Sequence, residues 1–248
     1  HKFASCDGCQ LAFLNLGERL LELATLVDIV HIAEAGPVNP DVPVDIAFVE
    51  GSLVTPEDIE RIRRIRKNSR YLITIGACAT AGGLQALRNF ANARDWAAAI
   101  YAHPEYIASL DTSTPVARHV KVDLDLWGCP VHARQVQAAL RKLLFGVAPL
   151  EKRDKLCLEC KRSQTVCVLV AKGAACMGPV TRTGCGALCP RFGRDCYGCF
   201  GPAESLNAEA LARRFQGLGL LPEQAARRFL STNAGAPEFA ETGVRLRR

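Results

Sequence analysis

Cysteine constrains this chain more than any other residue type. Twelve are spread unevenly over 248 positions. Cys6, Cys9, Cys78 and Cys129 are scattered through residues 1–149. Cys157, Cys160, Cys167, Cys176, Cys185, Cys189, Cys196 and Cys199 crowd residues 150–202, and residues 203–248 have none. A disulfide scaffold serves small secreted domains that lack a core. A chain this long, with 49% apolar residues, has no such need. The C-x2-C pairs suit thiolate ligation of a metal or cluster in a reducing compartment. The formal charge of +6 would by itself suggest nucleic acid. Twelve thiolates and three oxidised four-iron cores would bring that sum to about zero. No stretch approaches the run of about eighteen apolar residues that marks a membrane span.

The change in cysteine density places a boundary near Pro149, giving residues 1–149, 150–202 and 203–248 as three parts. In the first, Asp45–Glu50 and Tyr71–Ile75 are apolar runs closed by glycine and predict strands; Val120–Leu124 predicts a third. His1–Ala4 reads as the end of a strand, and Leu26–Ile32 as a strand or the end of the preceding helix. Helices are predicted for Leu11–Leu26, from Pro56 onward with Ile59, Ile62 and Ile65 as its apolar stripe, for Ala79–Phe90, and for Pro130–Phe145 with Pro130 in the first turn. The alternation predicts an α/β domain on a mainly parallel sheet.

In such sheets, sites form beyond the carboxyl ends of the strands. Cys6 and Cys9 follow the first strand signal, Cys78 follows Tyr71–Ile75, Cys129 follows the third, and Glu50 ends Asp45–Glu50. Residues distant in sequence can thus meet at one edge, and four cysteines suit one four-iron cluster. Gly8, Gly76 and Gly128 would let backbone approach a bulky core, though each also suits an ordinary turn. Taken singly, Cys78 or Cys129 would read as an inert buried thiol. Gly82 and Gly83 lie in GACATAGG, which lacks the spacing of a phosphate loop; they read as a turn or close packing beside Cys78.

From Cys157 the spacing runs C-x2-C-x6-C-x8-C and then, from Cys176, C-x8-C-x3-C-x6-C-x2-C. Eight thiols match two four-cysteine sites. We divide them into Cys157, Cys160, Cys167 and Cys176, and Cys185, Cys189, Cys196 and Cys199; ferredoxin-like chains also exchange ligands between neighbouring clusters. Two tetrahedral zinc sites fit the same count. Glycine is dense here and large apolar residues are few, so this segment is expected to fold around what it binds.

Together, CDGCQ at 6–10, EGS at 50–52, GACATAGG at 76–83 and GCPV at 128–131 resemble the proximal-cluster signature of nickel–iron hydrogenase small subunits. CLECKR and GPVTRTGCGALCP resemble the ferredoxin-like part of their cytoplasmic, multimeric subgroup, which includes sulfhydrogenase delta and methanogen hydrogenase gamma subunits. The likeness covers about residues 3–202. It implies a flavodoxin-like domain followed by a ferredoxin-like two-cluster domain. It implies three 4Fe-4S clusters: proximal on Cys6, Cys9, Cys78 and Cys129, medial on Cys185, Cys189, Cys196 and Cys199, and distal on Cys157, Cys160, Cys167 and Cys176. Glu50 matches an acidic residue near the proximal cluster, implying a proton relay or an interface role; a capping carboxylate is the plainer alternative. Residues 133–248 contain no histidine, unlike membrane-bound relatives, which use one at the distal cluster.

The resemblance further implies an electron relay with no catalytic residue and no nickel ligand of its own. The nickel–iron centre would lie on a hydrogenase large subunit. FAD would lie on a flavin or ferredoxin-like partner that reduces NAD(P), in a cytoplasmic hetero-oligomer without nucleic acid or membrane span. Two rivals stand beside it. One is an iron–sulfur subunit of a different oxidoreductase. The other is a zinc-binding structural or nucleic-acid-binding protein, with Arg61, Arg63, Arg64, Arg66, Lys67 and Arg70 as its basic patch; those residues also suit the solvent face of a helix. Leu206–Arg248 carries helical patterns broken near Gly217–Gly219 and Pro222, reads as irregular from Ser231, and is expected to cover the cluster-binding part or contact a partner.

Overall fold

The computed structural model describes residues 1–248 except Ala35, Pro37 and Lys152. Its first part is built on three parallel strands in the order β1 (Val44–Glu50), β2 (Ser69–Ile75) and β3 (Leu124–Leu126). Ile46 lies opposite Tyr71, and Ile75 opposite Leu126. Parallel neighbours need a crossover. Between β1 and β2 this is α3 (Pro56–Lys67), preceded in the chain by α1 (Gly8–Leu14) and α2 (Glu18–Ala24). The sequence starts α3 sharply. Thr55 Oγ1 accepts from Asp58 N at 3.1 Å, Asp58 Oδ2 accepts from Thr55 N at 3.1 Å, and Pro56 takes the first helical position.

Both faces of β2 are covered, as a parallel sheet requires. Val49, Leu72, Ile62 and Ile65 pack with Phe3, Leu53 and Val116 on the α3 side. Ile73, Ile75 and Leu126 pack with Val136 and Ala139 on the other. The latter two belong to α6 (Ala133–Leu144), which follows α4 (Gly76–Ala81) and α5 (Ala93–Ile100). The basic face of α3 is partly committed: the Arg61 guanidinium lies 4.1 Å from the Phe3 ring centre, and Arg66 pairs with Asp123 at 2.5 Å.

Several element boundaries differ from those predicted. The helix expected over Leu11–Leu26 is divided at Gly17, whose φ of 60° stops α1 before α2 begins. Leu26–Ile32 forms neither strand nor helix; among the described residues, the outer edge of β1 hydrogen-bonds only to residues at the amino terminus, such as Phe3 N to Glu50 O at 2.8 Å. Ala79–Phe90 is interrupted by Gly82 and Gly83, both at positive φ, and continues as 3-10 turns. The third strand starts later than expected because the Asp123 carboxylate, rather than a backbone carbonyl, takes the Leu72 N–H at 2.8 Å. Pro130 lies ahead of α6, which is capped by the His132 ring accepting from Arg134 N at 3.2 Å.

The second part holds α7 (Leu156–Arg162), α8 (Val168–Ala171) and α9 (Leu188–Arg191), followed by α10 (Ala208–Gly217), α11 (Pro222–Phe229) and α12 (Pro237–Leu246). The last lies where the sequence reads as irregular. Phe215, Phe229 and Phe239 are fully buried and join Leu156, Val168, Met177 and Val180 in one core. The cysteine-rich segment contributes few large aromatic groups to this core, and α10 to α12 supply the three phenylalanines. Among the described residues, no helix is long and apolar enough to cross a membrane.

Candidate functional site

The carboxyl ends of the three strands lead into Gly51, Gly76 and, two residues on, Gly128. Cys6, Cys9, Cys78 and Cys129 meet at this edge. A side chain at Gly8 would meet Cys6 Sγ at 3.4 Å, one at Gly76 would collide with Cys9 Sγ, and one at Gly83 would lie 2.5 Å from Cys78 Sγ. The backbone therefore closes on Cys9 and Cys78 with no room for a methyl group at Gly76 or Gly83, while Gly8 only touches Cys6. Burial pushes the Cys9 thiol up to about 12, and Glu50, Cys78 and Cys129 add to the rise against an N–H donated by Val131 at 3.4 Å. Burial likewise lifts Cys78 to about 11, with Cys129, Cys6 and Glu50 adding, and lifts Cys129, with Cys6 and Glu50 adding.

Glu50 is 2% exposed, and its two oxygens accept from Cys9 N at 3.2 Å and Gln10 N at 2.9 Å. Burial raises its pKa and the two N–H groups oppose that rise. Within this chain its contacts are those of a carboxylate clamped on the turn that carries Cys6 and Cys9.

The eight later cysteines gather in the second part. A side chain at Gly178 would meet Cys176 Sγ at 3.4 Å and Cys157 Sγ at 3.7 Å. Burial raises Cys157, with Cys176 and Cys167 adding. It raises Cys160 to about 11, with Cys157, Cys176, Cys167 and, less, Cys185 adding. Cys185 is raised by burial, with Glu159 and Cys189 adding. Cys199 reaches about 12 through burial, with Cys185, Cys129 and Cys189 adding. The deeply buried Cys196 neighbours both Cys176 and Cys199. Its own N–H donates to Cys176 Sγ at 3.3 Å, and its Sγ accepts from Gly198 N at 3.4 Å. The two later sets are therefore in contact at Cys176 and Cys196, and Cys199 lies within electrostatic reach of Cys129 of the first.

Residues outside the cysteine motifs hold these sets in place. Gln85 Oε1 accepts from the Cys78 thiol at 3.4 Å while its Nε2 donates to Ala4 O at 2.8 Å. Glu159 accepts from Gly184 N at 3.0 Å and Ala187 N at 2.9 Å, fastening the Cys185 loop to α7. Arg182 is buried, stacks 4.4 Å from the Trp127 ring centre, donates to Pro202 O at 3.0 Å and pairs with Glu151. Sequence reasoning missed all of these. Arg182 and Glu159 had a signal, their places inside the GPVTRTGCG and CLECKR runs.

The described cysteines are all free thiols. Among the described residues, no three His, Cys, Asp or Glu side chains converge so as to hold a metal ion. A zinc tetrahedron with bonds of about 2.3 Å is therefore not preformed.

Residues 6–143 match the family model of the NADH ubiquinone oxidoreductase 20 Kd subunit. Sulfhydrogenase 2 subunit delta of Pyrococcus furiosus is 34% identical over 94% of this chain and 97% of its own length. NAD-reducing hydrogenase HoxS subunit delta of Cupriavidus necator is 32% identical over 57% of this chain and 75% of its own. Among solved structures, a chain of an NAD+-reducing [NiFe]-hydrogenase in the H2-reduced state superimposes with a TM-score of 0.55 at 29% identity, covering 60% of this chain and 91% of that one. With the parallel sheet, the free cysteines at its carboxyl edge and a match over nearly the whole length, the chain belongs to the NADH ubiquinone oxidoreductase 20 Kd subunit family and, within it, to the small iron–sulfur subunits of nickel–iron hydrogenase complexes.

Proposed function

We propose that the chain carries three 4Fe-4S clusters and relays electrons between a hydrogenase large subunit, which holds the nickel–iron centre, and a flavin-bearing or ferredoxin-like subunit that reduces NAD(P), within a cytoplasmic complex. Cys6, Cys9, Cys78 and Cys129 would hold the proximal cluster, Cys185, Cys189, Cys196 and Cys199 the medial, and Cys157, Cys160, Cys167 and Cys176 the distal. The flavodoxin-like sheet would carry the first, and residues 150–202 would form a ferredoxin-like domain for the other two, closed by residues 203–248.

The observation that carries this reading is geometric: Cys6, Cys9 and Cys78 present sulfur against the glycines at the sheet edge, and the two later sets touch where Cys196 N donates to Cys176 Sγ at 3.3 Å. Four thiols per set match the ligand number of a four-iron core. When bound, such clusters supply one-electron redox steps. The chain's own contribution is to desolvate the thiols, to place N–H donors from Val131, Cys196 and Gly198 on sulfur, and to keep the Cys6–Cys9 turn rigid through Glu50. N–H donation to a ligand sulfur tunes the potential of what that sulfur binds.

Metal and sulfide analysis of the intact complex tests the reading. We expect about twelve iron and twelve sulfide per copy of this chain, with nickel and flavin following the partner subunits. Stoichiometric zinc in a colourless protein, or cysteines recovered as disulfides, would sink it.

A further inference from the structure

Thirty-five consecutive residues, 160–194, contain no aspartate or glutamate but hold Lys161, Arg162, Lys172, Arg182, Arg191 and Arg194. Arg182 is buried against Glu151; the other five lie at the surface. They surround side chains that a lone chain has no reason to leave in water: Val166 is 71% exposed, and Val170 and Phe192 are each 78% exposed, with Leu188 beside them in sequence. Two hydrogen bonds tie together the segments that carry them. Thr165 N donates to Cys160 O at 2.9 Å, which folds Val166 and the exposed Cys167 back beside Cys160. Lys172 Nζ donates to Gly193 O at 3.0 Å, which joins the Val170 loop to the Phe192 loop.

Resting on the relay reading above, we propose that this face, beside the Cys157–Cys176 thiol set, is the docking surface for a small acidic electron-carrier protein. An apolar centre with a charged rim is the anatomy of a recognition patch. A rim of one sign selects a partner of the other, and its main effect is on encounter rate and specificity. Within this set Cys176 is buried, Cys157 and Cys160 are half-buried, and Cys167 reaches the surface. The cations stand outermost, within a Debye length of about 10 Å of an approaching acidic surface at 0.1 M salt. Lys161, Arg162 and Arg191 steer the carrier, and Val166, Val170 and Phe192 bury against it.

The test uses the assembled pair of this chain with its large subunit, and as probes a small acidic ferredoxin, basic cytochrome c and the dye benzyl viologen. Binding of the ferredoxin is measured by calorimetry, and its reduction under hydrogen by absorbance, from low to moderate salt. Ferredoxin reduction should slow as salt rises while dye reduction stays flat. Lys161→Glu, Arg162→Glu and Arg191→Glu combined should weaken ferredoxin binding at least tenfold, keep dye reduction and iron content within twofold of the parent, and speed cytochrome c reduction. Ferredoxin binding that is indifferent to these substitutions, or a parent that prefers cytochrome c, overturns the proposal. If the triple variant does not assemble, a flat salt profile for ferredoxin reduction by the parent overturns it equally. A parent pair without iron and without dye reduction instead brings down the relay reading itself.

Discussion

Glu50 shows how much one side chain holds at the sheet edge. Its two oxygens satisfy the buried N–H groups of Cys9 and Gln10. Replacing it with alanine orphans both, at about 1–3 kcal/mol each. Glu50→Gln keeps one acceptor oxygen, so the thermal midpoint of the loaded protein should fall markedly for Glu50→Ala and less for Glu50→Gln. Gly83 makes a sharper case. A methyl group there meets Cys78 Sγ at 2.5 Å and Gln85 Oε1 at 2.6 Å on a backbone with φ of +63°. Gly83→Ala should cost the protein about one cluster's share of its iron. Gly17→Ala, at φ 60° and ψ −130° but with nothing within 4 Å, should cost about 1–3 kcal/mol in local backbone strain and no iron. His119 carries a pH signature. Burial, with Arg63 and Arg118 adding, holds its pKa below the ordinary value, and its Nε2 is 2.7 Å from Thr114 Oγ1. The unfolded chain therefore takes up its proton first. His119 leaves stability untouched above the ordinary histidine pKa of about 6.5 and erodes it as pH falls below that. Urea midpoints for His119→Gln should fall less steeply between pH 7 and pH 5 than those of the parent.

At the scale of elements, a continuous apolar run flanked by a helical stripe was enough to locate β1, β2 and α3, since burial on both faces of a parallel sheet leaves a local trace in composition. The gathering of Cys6, Cys9, Cys78 and Cys129 at one sheet edge was legible for a related reason: each follows a strand signal, and strand ends of a parallel sheet share an edge. What stayed hidden depends on partners distant in sequence. Leu26–Ile32 is apolar enough for a strand, yet no ladder receives it. Gly17 and the Gly82–Gly83 pair end helices through positive φ, and a single glycine costs too little, about 1 kcal/mol, to be read as a stop with certainty. The final helix had a signal in Pro237, Phe239, Thr242 and Gly243, one proline start and one small-residue face, which closes on Leu230. The three buried phenylalanines explain why the cysteine-rich segment needs residues beyond 202. Phe229→Ala should cost about 3–5 kcal/mol, and hydrogen exchange should quicken in 156–200 as well as in α11, because the two stretches share one core.

For the whole molecule, the seam between the two parts is where Arg182 meets Trp127, Glu151 and Pro202. Arg182→Ala removes a charged hydrogen bond with its ring contact, at about 2–3 kcal/mol. Limited proteolysis should then cut faster between residues 146 and 155, while cleavage inside α3 stays at the parent rate. The same indole has a second neighbour. A side chain at Gly201 would run into the Trp127 ring from below, so the ring is wedged between Gly201 and the guanidinium, two residues from Cys129 on one strand of chain and two from Cys199 on the other. Electron hopping decays exponentially with the width of the gap it must cross, and a series of hops runs at the pace of its widest. In the relay proposed above, the gap from the sheet edge to the Cys199 set would lie beside this close-packed ring, so shrinking Trp127 would loosen that one stride and slow the series as a whole.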